Sequence, residues 1–146
     1  MKELLFAAYS LDIGGIEKSL VTLTNYLQKR GYQITIILAK KQGIFLKELN
    51  KDIKVIEYRP DESNNILKRK AKNLVKRFKF MIKYKNKFDF SASFATYSIV
   101  ASFISRVASN NSCLWGHADY YTLFGNDEVK MKKFFKKINY NKFKHV

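Results

Sequence analysis

The sequence predicts an α/β domain built around a parallel β-sheet, and three features near its start support that prediction. Residues 4–9 form a short, nearly unbroken apolar run, as in a strand that is buried on both faces. After a turn that contains Gly14 and Gly15, leucines recur at the spacing of an amphipathic helix. Residues 33–39 then form a second apolar run, rich in β-branched side chains. A strand, a helix and a second strand form a βαβ unit with a right-handed crossover, so we expect a Rossmann-like parallel sheet with helices on both faces.

Similar patterns along the rest of the chain predict the other elements of a single domain. Five strands are expected, at residues 3–9, 33–39, 53–58, 88–94 and 112–117. The first helix should end at Gly31, because glycine readily adopts the left-handed conformation that follows a helix. Further helices are expected at residues 43–50, 66–85, 97–108 and 128–138. In the first of these, Ile44, Phe45 and Leu49 should point inward, and residues 143–146 have the pattern of the start of another strand.

Length and composition limit the class of protein. The chain has 146 residues, of which 47% are hydrophobic, and this is enough for one domain with a packed core. Cys113 is the single cysteine, which excludes an internal disulfide and fits a reducing cytoplasm. No apolar run approaches the roughly 18 residues that a membrane-spanning helix needs.

The net charge of +16 is distributed unevenly along the chain. Residues 1–67 contain 10 basic and 8 acidic residues, whereas residues 68–146 contain 18 basic and 4 acidic residues. This asymmetry predicts an anionic partner for the second half. A basic module that binds single-stranded nucleic acid is one interpretation, since Phe and Tyr side chains lie between the cations. The absence of an RNA-binding signature of the aromatic-sheet kind, and the expected core positions of most aromatic residues, disfavour nucleic acid.

The predicted helix over residues 66–85 contains much of this charge, and no acidic residue occurs between Ser63 and Phe88. A stripe at helical spacing should face the core, and its members are Leu67, Ala71, Leu74, Phe78 and Met81. Phe80 and Tyr84 fall on the cationic side. The basic residues expected to contact an anionic surface are Lys68, Arg69, Lys72, Lys76, Arg77 and Lys83. An anionic membrane is the expected surface, and an ordinary solvated basic face is the alternative.

The glycine turn is the first candidate binding site. Gly14 and Gly15 have no Cβ, so a ligand can approach their backbone, and the helix N-terminus behind them offers unpaired N–H groups to a phosphate. Glu17 in the first turn suits the helix dipole. Two better-known phosphate motifs are excluded, because Glu17 stands where a P-loop needs glycine and because the glycine spacing of a dinucleotide site is absent. A plain tight turn is the alternative interpretation.

A second candidate site lies where the later strands end. Ligands of open parallel sheets bind outside the carboxyl ends of the strands. The loop after Tyr9, the loop that contains Thr96 and the loop that contains His117 and Asp119 should therefore share one edge. His117 is suited to donate or accept a hydrogen bond near neutral pH. The alternative is a turn histidine that is capped by Asp119.

The double glycine followed by Glu17, the leucine-rich helix and the second strand after Gly31 form a pattern over residues 4–38. This pattern resembles the opening of a family 4 glycosyltransferase of the GT-B fold. Tyr32 stands where the family more usually has histidine. The run from Trp115 to Asp119 is similar to the end of the family's fifth strand, where a histidine commonly faces the cleft.

The resemblance implies a function. Enzymes of this family transfer a sugar from a nucleotide-sugar to an acceptor with retention of configuration, usually without a metal, and need no cofactor besides the donor. Residues 1–146 would form the N-terminal, acceptor-side domain. The family holds the nucleotide mainly through two glutamates, eight positions apart, in a C-terminal domain, and no glutamate pair in this chain has that spacing. We therefore expect a truncated chain that is inactive alone.

The resemblance also implies roles for the candidate residues. The roles are catalysis for His117, contact with the donor phosphates for Gly14, Gly15 and Glu17, and the acceptor side of the cleft for Thr96 and Asp119. The acceptor would be a polysaccharide or a lipid-linked saccharide. With the basic helix, this places the protein in the cytoplasm and peripherally at the inner face of the membrane.

Overall fold

A computed structural model describes residues 1–95 and 97–146 of the chain. It contains a five-stranded, all-parallel β-sheet, as the sequence predicts. The strands are β1 (Glu3–Ala8), β2 (Gln33–Leu38), β3 (Lys54–Glu57), β4 (Phe90–Ser93) and β5 (Ser112–Leu114). Their order across the sheet is β3-β2-β1-β4-β5, so the strand order reverses beside the central strand β1. This architecture is α/β and fits a Rossmann-like fold.

The two strands β4 and β5 are shorter than predicted. Trp115 and His117 lie beyond the end of β5, although the backbone N–H of Trp115 still donates to the carbonyl of Ser93 at 3.0 Å. At the outer edge of β5, His145 forms an isolated parallel bridge with Cys113. This bridge lies in the segment where the sequence predicts the start of another strand.

Helix α1 (Gly15–Lys29) covers one face of the sheet. Its predicted stripe packs against the core formed by alternate residues of β1 and β2, and Leu20 is fully buried there. Burial of one such leucine contributes about 1.5–3 kcal/mol relative to leaving it exposed. The helix ends as predicted, because Gly31 adopts a φ of +88°.

A 3₁₀-helix, Ile44–Glu48, replaces the predicted helix over residues 43–50. Phe45 and Leu49 pack against the core as expected. The prediction for Ile44 is wrong, since its side chain is 56% exposed. A 3₁₀-helix has about 3.0 residues per turn, so its inward positions differ from those of an α-helix.

Helices α2 (Ile66–Tyr84) and α3 (Ile99–Ala108) cover the opposite face of the sheet. Their core contains Leu5 and Ile37 from the sheet, Phe80 from α2 and Phe103 from α3. Ser98 begins α3, because its side chain accepts a hydrogen bond from the N–H of Ala101 at 3.0 Å. Helices therefore lie on both faces, as predicted.

The side of α2 that faces the core is not the predicted one. Phe80 is buried and Tyr84 packs beside it, although the sequence pattern places both residues on the cationic side. The expected core stripe is exposed instead, with Leu67 at 79%, Leu74 at 69% and Phe78 at 62%. The reason is that α2 has apolar residues at helical spacing on two sides. An aromatic cluster with Tyr58 and Phe103 determines which side packs.

The last elements are α4 (Tyr120–Leu123), α5 (Glu128–Ile138) and a 3₁₀-helix, Tyr140–Lys142. Phe134, Phe135 and Ile138 of α5 pack against Leu114 of β5. Among the described residues, we find no helix that combines the length and the apolar character needed to cross a membrane.

Candidate functional site

The N-terminus of α1 lies at the carboxyl edge of the sheet, directly after the loop that follows β1. Gly14 is the N-cap residue, and no described side chain caps this end of the helix. Its φ of 178° is extended and does not require glycine. A Cβ added at Gly15 would have no described atom within 4 Å. A side chain at Gly15 would therefore meet open space beyond its own helix.

The loop after β1 is held in place by the loop after β2. The backbone N–H of Leu11 donates to the carbonyl of Gln42 at 2.9 Å, and the side chains of Ser10 and Gln42 both donate to the carboxylate of Asp12. Gly43 adopts a φ of +118°, and a Cβ there would overlap the backbone of Leu11. The two loops thus form one fixed ridge in front of α1.

Glu17 folds back over the start of α1. A Cβ added at Gly14 would collide with the carboxylate of Glu17, which shows how close that carboxylate lies to the Gly14 backbone. The carboxylate therefore occupies part of the space in which an anion would meet the helix N-terminus. An incoming phosphate would have to displace it.

His117 lies among aromatic rings beyond β5. Its ring centroid is 4.4 Å from that of Phe94 in an edge arrangement, and it stacks on Trp115 with an interplanar angle of 13°. Its Nε2 atom is buried, and no described residue forms a hydrogen bond with it. Burial lowers the pKa of His117 below its ordinary value of 6.5, and the negative charge of Glu17 opposes this shift. The imidazole is therefore held mainly neutral at pH 7, close enough to Glu17 to sense its charge.

A cavity of about 370 Å³ lies between these loops. Tyr9, Glu17, Phe94 and Ala118 line it, together with apolar residues of α1. The structure thus brings together the loops after β1 and β4 and the loop that follows His117, as the sequence predicts for the carboxyl edge. Most of the lining is apolar, and Glu17 is its charged group.

The two predicted acceptor-side residues are placed differently. Thr96 lies outside the described residues. Asp119 is the N-cap of α4, where its carboxylate accepts hydrogen bonds from the N–H groups of Tyr121 and Thr122, both at 3.1 Å, and from the Thr122 hydroxyl at 2.6 Å. These bonds lower the pKa of Asp119, the Thr122 hydroxyl most of all. The carboxylate of Asp119 therefore caps helix α4, and not the turn that contains His117.

A second, polar cavity of about 610 Å³ lies at the carboxyl ends of β2 and β3. Its charged lining residues are Lys40, Glu57, Arg59, Asp61, Glu62 and Lys76. Lys40 pairs with Glu62 at 2.9 Å, and hydrogen bonds from Ser63 lower the pKa of Asp61 to about 2. Sequence reasoning missed this cavity, although the charged residues on either side of Pro60, which follows β3, were a visible signal.

Four of the six basic residues predicted to form an anionic contact have contacts within the protein. Lys72 pairs with Asp61 at 3.3 Å, and Lys76 donates to the carbonyl of Arg59. Arg77 lies over the Phe103 ring at 5.1 Å and Lys83 over the Tyr84 ring at 5.1 Å, so both flank the packed side of α2. Lys68 and Arg69 are exposed in the first turn of α2.

The fold and these cavities define the chain as a Rossmann-like α/β domain with ligand-sized space at the carboxyl edge of its sheet. Within the described part of the chain, no three His, Cys, Asp or Glu side chains lie close enough to share a metal ion. No protein-family model matches the chain, and no curated protein matches its sequence.

Proposed function

We propose that this chain is the N-terminal, acceptor-side domain of a retaining, nucleotide-sugar-dependent glycosyltransferase of the GT-B type. One observation supports this most directly: the N-terminus of α1, which no described side chain caps, the Glu17 carboxylate and the half-buried imidazole of His117 lie together at the carboxyl edge. A helix N-terminus suits the phosphates of a donor. A neutral imidazole beside it suits a hydrogen bond to the sugar that reacts.

In this proposal the side chains have separate roles. The backbone N–H groups of Gly14 and Gly15 receive the donor phosphate, because the first N–H groups of a helix have no partner within the helix. The Nε2 of His117 is buried without a described partner, and in this proposal it becomes accessible when the ligand opens the site and then contacts the reacting sugar. Glu17 moves away when the phosphate arrives, because two negative charges at one helix N-terminus repel each other.

The acceptor in this proposal is a polysaccharide or a lipid-linked saccharide. The large polar cavity at the ends of β2 and β3 offers both cationic and carboxylate groups, which suit the hydroxyl groups of a saccharide. Attachment to the cytoplasmic face of a membrane is part of the proposal, and the basic residues of α2 support it.

Calorimetry with nucleotide-sugars tests the division of roles. Donors such as UDP-glucose and GDP-mannose should bind residues 1–146 more weakly than micromolar, and no sugar transfer should occur, because phosphate contacts from one loop supply only part of the binding energy. Micromolar affinity or turnover by this chain alone would contradict these roles. Tight, salt-sensitive binding of single-stranded oligonucleotides would instead favour a nucleic-acid module.

A further inference from the structure

The outer side of α2 is a continuous apolar stripe, defined here as the α2 stripe: Leu67, Leu74, Phe78 and Ile82. These side chains are between 62% and 79% exposed. Spacings of seven, four and four residues place them on one side of the helix, and Val75 and Met81 extend it. An exposed apolar surface of this extent marks a site of docking.

The orientation of α2 is fixed by contacts on its other side. Phe80 is buried between Tyr58 and Phe103. Its ring centroid lies 5.7 Å from that of Tyr58 and 5.8 Å from that of Phe103. Asn73 accepts a hydrogen bond from the N–H of Asp61 at 2.7 Å and donates one to its carbonyl at 3.0 Å. The helix cannot turn to bury the α2 stripe without breaking these contacts. The stripe therefore faces outward in the folded protein.

Basic residues border the α2 stripe on both flanks. At 100° per residue, Lys70 falls on one flank and Lys68 and Lys79 fall on the other. The helix has eight basic residues and no acidic one. The ion pairs found among the described residues neutralise one of these eight, Lys72. An apolar stripe between two cationic borders is the pattern of a helix that lies in a membrane interface.

Charge and shape distinguish among possible occupants. A second copy would bring eight further cations against the first eight, because a two-fold contact uses the same surface twice. Nucleic acid would contact the cations but would leave the aliphatic side chains in water. A protein groove that wraps a helix could not close around α2, since its inner side is already packed against α3 and the loop at Asp61. An anionic bilayer satisfies both the apolar side chains and the cations.

We propose that α2 docks onto an anionic membrane surface with the α2 stripe inserted below the headgroups and the flanking lysines at their level. This assigns insertion to the side of α2 opposite Phe80 and Tyr84. The inference depends on the geometry of α2 and holds whatever reaction takes place at the carboxyl edge of the sheet.

Co-sedimentation with vesicles tests the docking. The protein should bind vesicles of phosphatidylcholine with phosphatidylglycerol, bind pure phosphatidylcholine far less, and dissociate as salt is raised. The double substitution Leu74→Ser with Phe78→Ser should weaken binding about tenfold or more, because two inserted side chains are lost. The matched control is Val129→Ser on α5, a site that is 77% exposed and should bind like the wild type. All three proteins should keep the same thermal unfolding midpoint.

Tryptophan fluorescence tests the insertion itself. Phe78→Trp in a Trp115→Phe background should shift to the blue on vesicle binding and be quenched by brominated lipids, whereas Val129→Trp in the same background should not. Binding without quenching at position 78, or undiminished binding of the double variant, would overturn insertion. Concentration-dependent dimers that the double variant loses, without vesicle binding, would show that a second copy covers the stripe and would also overturn the proposal.

Discussion

Glu17 and His117 are coupled at the scale of single residues. Burial holds the pKa of His117 below 6.5, and the nearby Glu17 charge partly restores it. Because the folded protein holds a neutral imidazole, protonation of His117 favours the unfolded chain. The proposed catalytic role and this stability effect therefore depend on the same half-buried ring.

This coupling predicts how stability depends on pH. As the pH falls below 6.5, the unfolded chain binds a proton at His117 before the folded protein does, so the free energy of unfolding should decrease. Urea unfolding at pH 7.5 and at pH 5.5 measures the decrease. The decrease in the free energy of unfolding should be smaller in His117→Gln. It should be larger in Glu17→Gln, because the pKa of His117 in the folded protein then falls further. An unchanged pH dependence in both variants would contradict the buried, Glu17-coupled imidazole.

Gly43 and Gly15 differ in what an added methyl group would meet. Gly43→Ala should destabilise the protein by about 1–3 kcal/mol, because its positive φ is strained for alanine and the Cβ would overlap the backbone of Leu11. Gly15→Ala, the matched control, should change the free energy of unfolding by less than about 1 kcal/mol, since its Cβ meets open space. Chemical denaturation measures both values. Equal losses at the two sites would show that the ridge between the loops after β1 and β2 is not fixed as described.

At the scale of whole elements, the first βαβ unit was predictable and the packed side of α2 was not. The unit from β1 to β2 has one apolar pattern per element, so its periodicity specifies both the element and its inner side. Helix α2 has apolar residues on two sides, and periodicity alone cannot choose between Phe78 and Phe80. That choice depends on Tyr58 and Phe103, which are distant in sequence. The closeness of Gly43 to Leu11 is likewise a tertiary result, whereas that of Glu17 to Gly14 arises within the first turn of α1.

A pair of substitutions on α2 tests which side packs. Phe80→Ala should lower the free energy of unfolding by about 3 kcal/mol, because it removes a buried ring from the cluster with Tyr58 and Phe103. Phe78→Ala also removes a phenyl ring, but at a site that is 62% exposed. It should change the free energy of unfolding by no more than about 0.5 kcal/mol. Denaturant titration of the two proteins provides the measurement. The reverse order would support the side predicted from the sequence.

At the scale of the whole molecule, the sheet places the two candidate surfaces on different sides. The proposed phosphate and sugar site lies at the carboxyl edge, beside a cavity between the loops after β1, β4 and β5. The α2 stripe lies on the outer side of a helix that covers one face of the sheet. The strongly basic second half of the chain includes α2, so charge and exposed apolar surface coincide there. Such an arrangement leaves the edge open to substrate while α2 is docked.

The most direct test of the glycosyltransferase proposal is a nuclear magnetic resonance titration of the chain with a nucleotide-sugar. The account predicts shifts of the Gly14, Gly15 and Glu17 amides and of the His117 imidazole, while inorganic phosphate shifts the amides alone. Gly15→Val should fold normally, because the site is open, and should lose these shifts. Shifts confined to α2, or no shift at Gly14, Gly15 and His117 at saturating donor, would contradict the assignment of this edge as the transfer site.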